Sequence, residues 1–182
     1  MKTTKLLTAI TFAFMTLLSF NAEAQKFKDL DKSPMDAASF PADYKNSEKL
    51  IKVVYSRPQL KGRDMNELAE PGKVWRLGAN EAAELQVYTD MTLDGNEIEI
   101  GTYTVYAIPG EKEWTLIVNK DLNVWGSYFY DESKDVARIT VPVKNAEESL
   151  EAFSILFEES DNGVHMHMGW GNTRVAVPFE KA

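Results

Sequence analysis

From Glu48 to the C-terminus, apolar residues recur at every second position and are cut by turn signals, a period that suits half-buried antiparallel β-strands. Ile51, Val53 and Tyr55 alternate with Lys52, Val54 and Ser56, and Arg57 keeps the apolar parity before Pro58 ends the run. Leu85 and Val87, continued through Met91 to Leu93, run into Asp94-Gly95, the dipeptide of a two-residue hairpin, and Ile98 and Ile100 resume beyond it. Tyr103, Val105 and Ala107 lead to a turn at Pro109-Gly110, after which Trp114, Leu116 and Val118 form another strand. Ala137 to Val143 and Phe153 to Glu158 are further strands, whereas Ala146 to Ala152, rich in glutamate, suits a short helix. Val164 to Trp170 and Arg174 to Phe179, with a hairpin at Gly171-Asn172, close the pattern. About nine short strands of this kind predict an all-β fold, an antiparallel β-sandwich of jelly-roll-like type, with a closed barrel as the alternative.

The rest of the chain sets the boundaries of that domain. Lys2 and Lys5, the apolar run Leu6 to Phe20 and Ala22-Glu23-Ala24 have the form of a secretory signal peptide over residues 1–24, cleaved after Ala24. A periplasmic or secreted location is expected, with no membrane insertion after cleavage, because the run is shorter than the ~20 residues a spanning helix needs. Residues 25–47 show no sustained period and read as an irregular lead-in, leaving 48–182 as one β-sandwich domain. Removing the signal takes Lys2, Lys5 and Glu23 from 20 basic and 28 acidic residues, so the mature chain carries a net charge of −9. Such a balance argues against a nucleic-acid partner, which demands a basic patch. The absence of cysteine excludes disulfides, a thiolate nucleophile and cysteine metal ligands, and no cofactor is implied.

Three constellations could carry chemistry. The segment Tyr55 to Glu81 gathers Arg57, Arg63, Trp75, Arg76, Asn80 and Glu81 among prolines and glycines. Forked guanidinium donors beside an aromatic face suit an anionic or planar ligand, or a sugar. The competing reading has Arg57 and Arg76 pairing with Glu81 or Glu84 to pin the loop, while Trp75 fills the core; strand parity favours a buried, partnered Arg57 with Glu81 as its expected partner. The long connection Asn119 to Asp135 holds Asn123, Trp125, Tyr128, Tyr130 and Asp131. Aromatic faces next to amides and carboxylates are what a glycan-binding surface needs, unless Trp125, Tyr128 or Phe129 fold back as a plug. His165 and His167 share one face of a strand opposite Val164, Met166, Met168 and Trp170, a geometry for a metal site if a third ligand comes from a neighbouring strand. Two solvated strand histidines are the alternative. No nucleophile elbow, phosphate loop, HExxH or dinucleotide fingerprint occurs.

The strings YSRPQLKGR, GKVWRLGANEA, GTYTVYAIPGEKEWTLIVNKD and WGSYFYDESKDVARITVPV closely resemble the family known as domain of unknown function 2911. The resemblance implies an exported bacterial protein and brings no catalytic residue; it does not itself call for histidine at 165 or 167. The leading expectation is an exported protein that binds a small molecule, glycan or cell-envelope component. One alternative is a hydrolase or metal-dependent enzyme using Glu81, Asp131 or the histidine pair. The other is a structural or interaction module of the envelope.

Overall fold

In the computed structural model, which describes residues 25–182, the chain forms two antiparallel sheets and almost no helix. The elements follow in order: β1 (Met35–Phe40), β2 (Ile51–Ser56), the short helix α1 (Met65–Leu68), β3 (Ala83–Val87), β4 (Met91–Leu93), β5 (Asn96–Ile98), β6 (Gly101–Ile108), β7 (Glu113–Asn119), a 3-10 turn (Glu132–Lys134), β8 (Asp135–Pro142), β9 (Lys144–Ser160) and β10 (Gly163–Lys181). One sheet has the order β1-β2-β3-β6-β7-β8, and the other β5-β4-β10-β9. Both belong to the unit Asp31–Ala182. The signal peptide expected over residues 1–24 lies outside the described residues. Among the described residues no helix is long and apolar enough to cross a membrane.

The two-residue alternation decides the core. Ile51, Val53 and Tyr55 of β2, Leu85 and Val87 of β3, and Val105 and Ala107 of β6 point inward from the larger sheet. Phe153, Ile155 and Phe157 of β9 and Val164, Met166, Met168 and Trp170 of β10 meet them from the smaller one. This burial of two inner faces against each other makes the fold a sandwich, as the sequence predicts. A buried cross-link ties the layers together: the amide of Ile155 donates to the Tyr55 hydroxyl across the sandwich at 2.8 Å. Burial raises the pKa of that phenol, which therefore stays protonated.

Four details differ from, or refine, the sequence reading. First, Met35–Phe40, inside the stretch expected to be irregular, is a strand pairing with all of β2 at the sheet edge. Its composition hides it, because MDAASF has small and polar residues where an edge strand needs only backbone pairing. Second, the run from Leu85 to Leu93 is two strands. Tyr88 and Asp90 turn the chain from the larger sheet into the smaller one, where β4 and β5 form the hairpin predicted at Asp94-Gly95, with φ of +50° and +75°.

Third, Ala146 to Ala152 is strand and not helix. The side-chain amide of Asn172 bonds the carbonyl of Ala146 at 2.9 Å, and Arg174 bonds that of Glu148 at 2.7 Å, so tertiary pairing overrides local helix propensity. Fourth, β10 is not straight. The Lys181 amide donates to the Asn162 carbonyl at 2.8 Å, and a Cβ on Gly163 would lie 2.1 Å from the Phe179 carbonyl oxygen. A straight strand of this length would hold its ends about 60 Å apart. The chain doubles back at Gly171, whose φ is +54°, and Asn172, where the sequence predicts a hairpin.

Candidate functional site

The arginine-tryptophan segment is mostly a lock. Arg57 continues the inward parity of β2 and reaches β9: its Nε donates to the Phe153 carbonyl at 3.0 Å, Nη2 to Ser154 Oγ at 2.7 Å, and Nη1 to Asp36 Oδ2 of β1 at 3.0 Å. Its partner is thus Asp36, not Glu81 or Glu84. The reason is again parity, because Glu84 alternates with buried Ala83 and Leu85 and so projects from the opposite, outward face. Immediately after Arg57 the chain leaves the larger sheet and pairs with β9, with Phe153 N bonding Pro58 O and Leu60 N bonding Glu151 O. Arg63 closes its own loop by donating to the carbonyls of Gln59 and Leu60.

Trp75 is 6% exposed and cannot meet a ligand. It stacks on Trp170 at 5.6 Å and meets Trp114 and Phe153 edge-on, while its backbone pairs with Ala107. Among the described residues Arg76 Nε reaches only the Gly78 carbonyl, at 3.3 Å. The backbone from Trp75 to Asn80 is tightly bent, with φ of +51° at buried Leu77 and +61° at Asn80. For leucine that conformation is costly and must be imposed by its surroundings. Its consequence is to swing Glu81 outward and set Asn80, Glu81 and Ala82 against the aromatic loop. Ala82 N bonds Val124 O at 3.0 Å, Gly126 N bonds Asn80 O at 3.0 Å, and Glu81 faces Trp125 in a β-bridge.

That loop is both plug and exposed face. Tyr130 is the plug: its ring packs on Tyr106 at 5.1 Å against the outer side of β6, and its hydroxyl donates to Asp135 Oδ2 at 2.7 Å. Arg138 holds the same pair through a bond to the Tyr130 hydroxyl and one from Nε to Asp135 Oδ2 at 2.6 Å. Burial first, and the Asp135 carboxylate second, push the Tyr130 phenol up to about 12, so it acts as a fixed donor and not as a base. Asp131 caps the 3-10 turn by accepting from the amide and hydroxyl of Ser133; the hydroxyl bond is the main reason its carboxyl pKa is lowered. Trp125, Tyr128 and Phe129, the residues that could have folded back, are exposed instead.

Between the loop and the outer face of the larger sheet lies a groove of about 390 Å³. Met35, Val54 and Ser56 form one side, Glu81, Ala82 and Glu84 another, and Asn123, Val124 and Trp125 the third. The volume falls in the range of small-ligand sites, roughly 300–1,000 Å³. Trp125 is 55% exposed beside it, presenting an aromatic surface that no core contact requires. Neither Glu81 nor Glu84 forms an ion pair among the described residues, although seven such contacts occur elsewhere. Ser56 is only 4% exposed, and its hydroxyl has no hydrogen-bond partner among the described residues. Sequence reasoning missed Met35, Val54 and Ser56; the outward parity of Val54 and Ser56 was the available signal.

The histidine pair stands apart on the outer side of the smaller sheet. Its two rings are 5.9 Å apart, and His167 Nε2 lies 3.2 Å from Glu158 Oε2, within ion-pairing distance but outside hydrogen-bond geometry. Among the described residues no three histidine or carboxylate side chains are gathered as metal ligands. The hydrolase set therefore does not converge: Glu81 lines the groove, Asp131 caps a turn, and His167 lines a separate apolar hollow with Leu150, Leu156 and Arg174.

The sequence model of the family described as Protein of unknown function (DUF2911) matches residues 33–179, which takes in both sheets, the groove and the aromatic loop. The chain belongs to this family. No curated protein and no solved structure matches the chain. Within this DUF2911 protein the strings that mark the family divide between two tasks: Arg57 and Trp75 hold the sandwich together, while Glu81 and Trp125 border the groove.

Proposed function

We propose that this protein is an exported ligand-binding β-sandwich, and that its site is the groove between β2, β3 and the Trp125 loop. A small hydroxylated ligand of carbohydrate type suits it best. The observation that carries this reading is Trp125 standing half exposed beside a concave surface whose polar groups, Glu81, Glu84 and Ser56, have no side-chain partner among the described residues. A sugar ring offers an apolar face for the indole and hydroxyls for the carboxylates and the serine. Export is supported by the basic, apolar and small-residue order of residues 1–24.

The test is calorimetric titration of the mature protein with a panel of envelope-type oligosaccharides, repeated with Trp125→Ala. Loss of ring stacking should weaken binding about tenfold or more, equivalent to roughly 1.4 kcal/mol. The thermal midpoint should stay unchanged, because an exposed residue carries little packing energy. Binding that survives Trp125→Ala at full strength, or a panel in which nothing binds, overturns the proposal.

A further inference from the structure

We propose that the ligand of this groove carries a protonated amine, so that an amino sugar with free ammonium groups is preferred over its neutral counterparts. This rests on the ligand-binding reading above and specifies its chemistry. Among the described residues, the charged ones lining the groove are Glu81 and Glu84, with no lysine, arginine or histidine beside them in its lining. The guanidinium groups of the same segment form no ion pair with them among the described residues: Arg57 goes to Asp36 and β9, Arg63 to its own loop, and Arg76 Nε to the Gly78 carbonyl.

Two carboxylates held in one concave surface without a cation create a local negative potential, which a bound cation would relieve. Ser56 is a third polar group on the groove wall: the residue is 4% exposed, and its hydroxyl makes no hydrogen bond among the described residues. An ammonium group offers three donors, enough for both carboxylates and the serine. The Trp125 ring, on the same groove wall, offers cation–π attraction for the same charge. An acidic glycan meets like charge here, and a neutral one offers the carboxylates only hydroxyl donors, weaker partners than a charged ammonium.

The experiment compares three β-1,4-linked hexasaccharides of glucosamine, N-acetylglucosamine and glucose by titration at about pH 6, above the ordinary glutamate range. All three share the ring face that Trp125 would stack on, and only the first carries charge. The glucosamine oligomer should bind at least tenfold more tightly than the other two, and its advantage should shrink as salt is raised. The double variant Glu81→Gln/Glu84→Gln, checked for an unchanged melt, should erase that advantage, bringing the glucosamine oligomer to the level of the two neutral ones. Trp125→Ala should weaken all three. Neutral oligomers that bind as tightly as the glucosamine oligomer refute the amine preference and leave the carbohydrate reading standing, whereas no binding by any of the three removes both. Tight glucosamine binding that the double variant leaves untouched also refutes the inference, because the attraction would then come from the net negative charge of the whole chain.

Discussion

Replacing Trp75 by alanine should cost about 3–5 kcal/mol, toward the upper end of that range for a buried tryptophan. The indole stacks on Trp170 of the smaller sheet, and its edge contacts to Trp114 and Phe153 reach both layers. Those neighbours are large and rigid, and strands anchored by backbone pairing on both sides cannot move in to fill the space. The cavity therefore persists, and the cavity contribution adds to the lost transfer energy. At roughly 2–4 °C per kcal/mol for a chain of this size, thermal unfolding should show a midpoint lowered by about 6–20 °C. A Trp75→Ala protein that melts with the wild type would mean that the segment is not the core lock described above.

The second large effect is expected at Arg57. Its guanidinium supplies three donors at the corner where β1, β2 and β9 meet, and two of them go to β9, to a backbone carbonyl and a serine hydroxyl. The ion pair with Asp36 is partly open to solvent on both sides and should contribute less than about 1 kcal/mol. Losing the charged donors to β9 should cost more, about 1.5–3 kcal/mol in total, because the Phe153 carbonyl then lacks its partner. Urea unfolding should accordingly rank Arg57→Ala well below Asp36→Asn. Arg57→Lys should recover little, since an ammonium cannot span three diverging acceptors. Equal losses for Arg57→Ala and Asp36→Asn would assign the corner to the ion pair instead.

Arg57 also shows how far the sequence could be read. Two-residue parity placed its side chain with Ile51, Val53 and Tyr55 on the inner face, and the structure agrees. Its partner could not be read, because Asp36 and Phe153 come to it through a strand hidden in an unpatterned stretch and through a contact 96 residues away. Glu81 looked like the natural counterion by proximity along the chain. The left-handed turn at Leu77 and Asn80 sends it to the other side of the sheet. Local signals with a backbone cause, such as Asp94-Gly95 and Gly171-Asn172, were legible, since their conformations are nearly independent of the rest of the fold.

Helix against strand for Ala146 to Ala152 was not, because the Asn172 and Arg174 bonds that decide it are tertiary. The length of the loop is plain in the sequence, but which aromatic is spent on packing depends on Tyr106 across β6, so Tyr130 packs there and Trp125 stays exposed. The groove combines three elements distant in sequence, and only their assembly makes Ser56, Glu84 and Trp125 neighbours.

The most direct test of the groove as the binding site is amide chemical-shift mapping on titration with the glucosamine hexasaccharide. Shifts concentrated at Val54 to Ser56, Glu81 to Glu84 and Asn123 to Gly126, with the His165 and His167 strand unmoved, are the predicted result. Shifts centred on Glu158, His165 and His167, or none at all, would contradict it.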